Sequence, residues 1–178
     1  MKNIKFTKSD EFYKKVLKLI PTASQTFSKS AIQYSKGASP LFLDKGKGAF
    51  VWDVDGNKYI DYVGALLPII LGYNDKDVDN AIIKQLKKGI SFSLPTTLEL
   101  DLAKLIVNHI PCAEMVRFAK NGSDATSAAI RLARAYTGKD VIAVSGYHGW
   151  HDWYIGTTSR SLGVPKKVAQ FTQSFESV

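Results

Sequence analysis

Met115-Val116-Arg117-Phe118-Ala119-Lys120-Asn121-Gly122-Ser123-Asp124-Ala125 reads as a short strand that breaks at a glycine and turns at once into a helix, with Ser and Asp in its first turn. That junction suits an anion. The first helical N–H groups have no partner within the helix, the macrodipole adds partial positive charge, and Gly122 lets a phosphate approach the backbone without a Cβ in the way. A second strand, Val141 to Ser145, ends in Gly146-Tyr147-His148-Gly149, which sets an aromatic ring beside the same edge of the sheet. A phosphate cradle next to a flat face suggests a phosphorylated aromatic cofactor.

Working outward, the strand Met115 to Ala119, a helix Ser123 to Thr137 closed by Gly138, and the strand Val141 to Ser145 make a strand-helix-strand unit. Its length implies a right-handed parallel crossover, so the fold class is α/β. Two parallel strands with one crossover cannot cover both faces of such a sheet. The chain therefore reads as the opening part of a larger, mainly parallel sheet, truncated before the sheet is complete. Residues 166–178 carry too little periodic apolar pattern to assign an element.

Upstream, Ser9 is placed to cap a helix running to about Ile20, with Phe12, Val16 and Ile20 on one face and Pro21 ending it. Residues 22–39 have no period and read as a loop or, alternatively, as an extended arm reaching a partner subunit. Leu41-Phe42-Leu43, Phe50-Val51-Trp52 and Tyr59-Ile60-Asp61-Tyr62 read as short β segments, with Asp55-Gly56 as a tight turn between the last two. After the apolar stretch 66–71 and the turn Gly72-Tyr73-Asn74, residues 77–88 carry Val78, Ile82, Ile83 and Leu86 at helical spacing, closed by Gly89. Thr96 and Glu99 form a capping-box pattern for another helix, with Leu98, Leu102, Leu105 and Ile106 as its buried stripe and Pro111 as its stop.

Composition narrows the class further. The 178 residues are 45% apolar and 22% charged, ordinary for a globular protein. The net charge of +8 is scattered through Lys14-Lys15, Lys84, Lys87-Lys88 and Lys166-Lys167, which reads as solvated faces; no groove-reading helix or RNA-binding motif accompanies it, so nucleic acid is not expected. Cys112 is the only cysteine, which excludes an internal disulfide framework, and beside Pro111 it reads as a buried thiol rather than a nucleophile. No signal-type apolar run follows Met1-Lys2-Asn3-Ile4-Lys5, and no stretch is long enough to span a bilayer. Cytoplasmic residence and no membrane contact are the expectation.

The motifs taken singly leave alternatives open. Gly122 and Ser123 match neither a Walker loop nor the three-glycine dinucleotide fingerprint, and glycine can merely start a helix that serine caps. Tyr147 can equally be a partly buried aromatic at a strand end. His148, His151 and Asp152 lie close in sequence, but without a cysteine cluster or a second carboxylate no metal is expected. His148 suits ligand orientation or proton transfer, or a plain structural hydrogen bond. Arg131 and Arg134 read as the polar face of their helix.

Taken together, several motifs resemble one family. They are Gly46, Val54-Asp55-Gly56-Asn57-Lys58-Tyr59-Ile60-Asp61-Tyr62, Leu71-Gly72-Tyr73, residues 118–125, Arg131-Leu132-Ala133-Arg134-Ala135-Tyr136-Thr137-Gly138 and Tyr147-His148-Gly149. In order and spacing across about residues 35–165, they resemble the class III pyridoxal-phosphate (PLP) aminotransferases of fold type I, glutamate-1-semialdehyde 2,1-aminomutase and its relatives in particular. The resemblance implies the N-terminal portion of such a transferase: a helix, arm and small β-containing segment over residues 1–75, and an incomplete first part of the PLP-binding large domain over 76–178. It implies that Gly122 and Ser123 bind the cofactor phosphate, with Asn121 contributing where serine is common, that Tyr147 stacks on the pyridine ring, and that His148 neighbours the ring. Asp124 stands where glutamate is usual.

The family's Schiff-base lysine and ring-nitrogen aspartate belong to motifs beyond the matched residues, so no catalytic residue is assigned here and the chain alone is not expected to transaminate. A homodimer is implied, with residues 91–97 a candidate for cross-subunit contact. Two departures bear on substrate. Ala65-Leu66-Leu67 replace an aromatic of the aminomutase pattern, and Gly149-Trp150-His151-Asp152-Trp153-Tyr154 looks like relatives linked to surface-carbohydrate assembly, leaving an amino-sugar or other carbonyl acceptor open. The rival expectations are a phosphate-binding or cofactor-binding module without the lysine, and a basic binder of nucleic acid or acidic polymer.

Overall fold

The computed structural model describes residues 4–176. The chain divides into two compact units, Met1–Ser93 and Leu94–Val178.

In the first unit, helix α1 (Thr7–Val16) precedes strands β1 (Leu43–Lys47), β2 (Phe50–Asp53) and β3 (Lys58–Ile60) and helix α2 (Lys76–Leu86). The strands form an antiparallel meander in the order β1-β2-β3. Its second turn is built on Asp53, which is 2% exposed. One carboxylate oxygen accepts the N–H groups of Asp55 (3.0 Å) and Asn57 (2.8 Å); the other accepts the Asn57 side-chain amide (2.8 Å) and the Tyr59 hydroxyl (2.7 Å). Burial drives the Asp53 carboxyl upward, but these donors outweigh it and hold it below the usual carboxylate range. Burial and the bond to Asp53 push the Tyr59 phenol well up.

At the tip of that turn, Asp55 accepts the N–H groups of Lys8 (2.7 Å) and Ser9 (2.9 Å). A carboxylate from the hairpin thus caps α1, a long-range contact with no local sequence signature. The helix accordingly starts at Thr7, with Ser9 buried inside its first turn rather than at its cap, and it ends at Val16 rather than Ile20. The segment expected to be irregular holds three short 3-10 turns at Pro21–Ala23, Phe27–Lys29 and Ala31–Gln33.

Strand β3 stops before Asp61 because that side chain folds back locally, accepting from the N–H groups of Val63 (2.9 Å) and Gly64 (3.1 Å) and from the Tyr73 hydroxyl (2.6 Å). The Tyr73 bond, opposed by burial and aided by the backbone donors, holds Asp61 low, and the Tyr73 phenol is pushed up to about 12 by the same bond and by burial. The next four residues, Gly64 to Leu67, all lie in the left-handed region with φ of 53° to 77°. Each of the three with a Cβ costs about 1–2 kcal/mol there. Asp75 caps α2 by accepting from Asp77 and Val78.

The second unit contains α3 (Thr97–His109), α4 (Gly122–Thr137), β4 (Ile142–Val144), α5 (Asp152–Ile155), α6 (Lys166–Ala169) and β5 (Thr172–Ser174). The Thr96 N–H donates to the Glu99 carboxylate at 3.1 Å, as the capping pattern predicts. Strands β4 and β5 pair in parallel, Ile142 opposite Thr172 and Val144 opposite Ser174. This corrects the expected crossover. Residues 115–119 pair in no ladder among the described residues, whereas the unassigned C-terminal stretch supplies α6 and β5. Extended backbone becomes strand only where a neighbour takes its N–H and C=O groups, and β5 rather than 115–119 offers that to β4.

The buried apolar side chains among the described residues are Val51 in the first unit and Val144 and Tyr154 in the second. The stripe expected to be buried on α3 has its helical spacing but not its burial, Leu98, Leu102 and Leu105 being exposed, and Val78, Ile82, Ile83 and Leu86 on α2 are exposed as well. Period is a local property and burial needs an opposing surface. Cys112 is likewise exposed, in a turn where the Ala113 N–H donates to the Ile110 carbonyl, so it is not the buried thiol its neighbours suggest.

Candidate functional site

Helix α4 begins at Gly122, with Asn121 as its extended N-cap residue. The Asn121 side-chain oxygen accepts the Asp124 N–H at 3.0 Å, and its carbonyl accepts the Ala125 N–H at 3.1 Å. The Gly122 and Ser123 amides precede Ala125, the first N–H to find an intrahelical carbonyl, and so lie at the positive end of the dipole without a partner inside the helix. A Cβ added at Gly122 would meet no atom within 4 Å, and Gly122 is not among the glycines with positive φ. Neither packing nor backbone conformation therefore demands glycine there.

The loop after β4 closes over this helix start. Gly149 has φ of 107° and is buried; a Cβ there would collide with the Ser123 Oγ and approach its Cβ to 3.0 Å. Only glycine lets the loop lie this close. The Trp150 N–H then donates to the Ser123 Oγ at 3.4 Å, and the Thr126 hydroxyl reaches the carbonyls of His148 (3.0 Å) and Ser123 (3.1 Å). Since the Trp150 amide occupies one Ser123 lone pair, the hydroxyl proton is left to donate elsewhere.

Tyr147 is 77% exposed, with its ring edge-to-face against Tyr154 at 5.7 Å. Tyr154 is buried and anchored by its hydroxyl to the Gly146 carbonyl at 2.9 Å. His148 is half-buried: its Nε2 lies 2.7 Å from the Ser145 carbonyl and its ring packs on Tyr154 at 5.4 Å. The second unit thus brings the loop carrying Tyr147 and His148 onto the helix start formed by Asn121, Gly122 and Ser123. The Asn121 oxygen is committed to capping and one His148 nitrogen to the backbone.

Sequence reasoning did not single out Thr126 or Ser127, and it considered His151 for a metal and, with Trp153, only as part of a segment bearing on substrate. All four tie the loop to α4. The available signal was the i, i+3, i+4 spacing of Ser123, Thr126 and Ser127, which puts three hydroxyls on one helix face. Among the described residues no group of three or more His, Cys, Asp or Glu side chains is arranged to hold a metal ion, and no helix is long and apolar enough to cross a membrane. An open cleft of about 650 Å³, lined by Lys47, Phe50, Trp52, Lys58 and Tyr73 among others, lies within the first unit and shares no residue with this helix start.

Comparison with known proteins identifies the family that the motifs together resemble. A family profile described as aminotransferase class-III matches residues 32–178. The chain belongs to the class III aminotransferase family. It is 42% identical over 173 residues to the 3-aminobutyryl-CoA aminotransferase of Cloacimonas acidaminovorans, covering 97% of this chain and 41% of that protein. It is also 42% identical over 165 residues to glutamate-1-semialdehyde 2,1-aminomutase 1 of Listeria monocytogenes, covering 90% and 38%. Among solved structures, the FumI protein of Sphingopyxis sp. MTA144, determined in its PLP internal aldimine form, superposes with a TM-score of 0.87 at 30% identity, covering 96% of this chain and 40% of that one. The chain therefore spans about two fifths of the length of these relatives. The fold is that of the N-terminal part of a fold-type-I transaminase, within the α/β class the sequence implies.

Proposed function

We propose that this chain supplies the phosphate-anchoring and ring-facing half of a site for PLP-dependent amino-group transfer to a carbonyl substrate. Bound there, PLP supplies the carbonyl that exchanges an amino group and the ring that withdraws electrons from the substrate. The observation that carries the reading is the Gly122 and Ser123 helix start, where a glycine required by no packing contact adjoins a hydroxyl whose proton is free to donate.

In this reading the Gly122 and Ser123 amides and the Ser123 hydroxyl hold the phosphate, and the Asn121 side-chain nitrogen adds a donor. Tyr147 offers the exposed ring face, braced from behind by Tyr154, and His148 lines the ring's edge. Amino transfer also needs the Schiff-base lysine and the ring-nitrogen aspartate, which family resemblance places outside the matched residues. We hold the functional partition at residues 1–75 and 76–178, with the second part opening the cofactor domain. A homodimer in a reducing cytoplasm completes the reading. The relatives' names span aminotransferase and aminomutase, so the activity is assigned as amino transfer without choosing between them.

Titration with pyridoxal phosphate, followed by visible absorbance and tyrosine fluorescence, tests this. Saturable binding that inorganic phosphate competes away supports the reading, and cofactor that borohydride reduction fixes covalently at one specific lysine, with loss of the visible band, is expected only in a polypeptide that also carries the Schiff-base lysine. Equal affinity for pyridoxal lacking the phosphate contradicts it.

A further inference from the structure

Behind the helix start lies a polar chain that the proposed cofactor contacts do not use. The Trp153 indole N–H donates to the Ser127 Oγ at 2.9 Å, the Ser127 Oγ lies 2.7 Å from the His151 Nδ1, and the His151 Nε2 lies 3.8 Å from the Asp124 Oδ1. An indole N–H is only a donor, so Ser127 accepts from it and has its own proton for the His151 Nδ1. In the neutral ring the remaining hydrogen is then on Nε2, facing Asp124. At 3.8 Å that contact is too long for a hydrogen bond, so Asp124 acts on the ring through its charge, and the bond to Ser127 is the tie that fixes it.

His151 joins two elements. Its carbonyl accepts the N–H groups of Tyr154 and Ile155, which starts α5, while its ring reaches Ser127 and Asp124 in the first two turns of α4. Its neighbour Trp150 gives the amide that fixes the Ser123 hydroxyl, at 3.4 Å, near the limit of a hydrogen bond. Any loosening of residue 151 carries that amide out of range. We infer that His151, held by Ser127 and Trp153, is a positioning residue that bolts the Gly149–Asp152 loop to α4 and so aims the Ser123 hydroxyl at the cofactor phosphate. The inference rests on the reading of the helix start given above. The members of this polar chain are half-buried, and hydrogen bonds specify one geometry where an apolar pair would only fill space.

The test uses the whole 178-residue chain, with pyridoxal phosphate and phosphate-free pyridoxal as paired probes and amide hydrogen exchange as a readout that needs no ligand. His151→Leu should weaken pyridoxal phosphate by about tenfold, the factor one charge-assisted hydrogen bond supplies, and should leave pyridoxal unchanged. Exchange at residues 149–152 should accelerate even without ligand. Ser127→Ala should do the same, and His151→Asn, whose amide lies near the place of Nδ1, should restore most of the phosphate preference. Equal weakening of both probes, or wild-type phosphate affinity in His151→Leu, overturns the inference. If the unsubstituted chain binds neither probe yet His151→Leu still frees the loop amides, the cofactor reading falls and the bolt stands. If the chain binds pyridoxal phosphate and His151→Leu binds it equally well, the bolt falls and the cofactor reading stands.

Discussion

Replacing Gly122 with alanine separates folding from binding. Gly122 is the first residue of α4, its backbone is not left-handed, and a methyl there meets no protein atom within 4 Å. The fold should therefore gain, since alanine reduces the freedom of the unfolded chain; about 0.4–1 kcal/mol is the usual stabilisation at compatible sites. The same methyl stands in front of the first-turn amides, where a phosphate must approach. Losing one hydrogen bond to a charged group costs about 1.5–3 kcal/mol, which corresponds to about tenfold to hundredfold weaker pyridoxal phosphate. Denaturant unfolding and a fluorescence titration on the same preparation measure both quantities. An affinity equal to that of the unsubstituted chain, with stability unchanged or raised, would mean that Gly122 only starts a helix.

Other substitutions probe the supporting structure. Gly149→Ala forces a left-handed alanine against Ser123, and combined backbone strain and overpacking should destabilise by about 2–4 kcal/mol; an unfolding midpoint within error of the parent would refute the close approach described for this loop. Tyr147→Phe should retain pyridoxal phosphate affinity and Tyr147→Ala should lose it, because the ring face and not the hydroxyl makes the proposed contact; equal affinities for both would remove Tyr147 from the site. Asp55→Ala should lower stability by about 1 kcal/mol through the lost cap on α1, with hydrogen exchange rising at Lys8 and Ser9. Asp53 and Asp61 are both held below their ordinary value of 3.8, so their stabilisation is complete above that pH and is lost as pH falls through the lower folded values. Asp53→Asn should therefore cost about 2 kcal/mol at neutral pH and flatten the acid limb, seen by comparing urea midpoints above and below that value.

What the sequence disclosed depended on the range of the interaction. Helix α4 was legible end to end because its start and stop are local: Asn121 caps it, and Gly138 takes the left-handed position, with φ of 66°, that ends it. The Asp55-Gly56 turn was legible for the same reason, and Asp53, two residues before Asp55, supports it from within. Start and stop failed where a distant residue sets them, as with α1, whose cap comes from Asp55 across 46 and 47 positions. The parallel pairing of β4 was placed on residues 115–119 rather than β5 because pairing depends on which backbone is brought alongside, and alternation within a segment does not encode that.

The candidate site shows the same division. Gly122, Ser123 and Tyr147 announce themselves as breaks in local pattern, a glycine at a helix start and an aromatic between two glycines. The residues that hold them in place, Thr126, Ser127, His151 and Trp153, are ordinary helix and loop residues until the fold joins them across 22 to 26 positions. Gly149 was visible as part of a motif, but its reason, the close approach of Ser123, appears only in three dimensions.

The central claim is that the Gly122 and Ser123 amides at the head of α4 receive the phosphate of the cofactor. Backbone amide correlation spectra of the isotopically labelled chain, recorded during titration with pyridoxal phosphate, address it most directly. The account predicts that the Gly122 and Ser123 resonances move most, that the Trp150 amide follows, and that inorganic phosphate reproduces the shifts at Gly122 and Ser123 while leaving the Tyr147 ring unaffected. Saturable binding that leaves those two amides in place, with the largest shifts elsewhere in the chain, would contradict it.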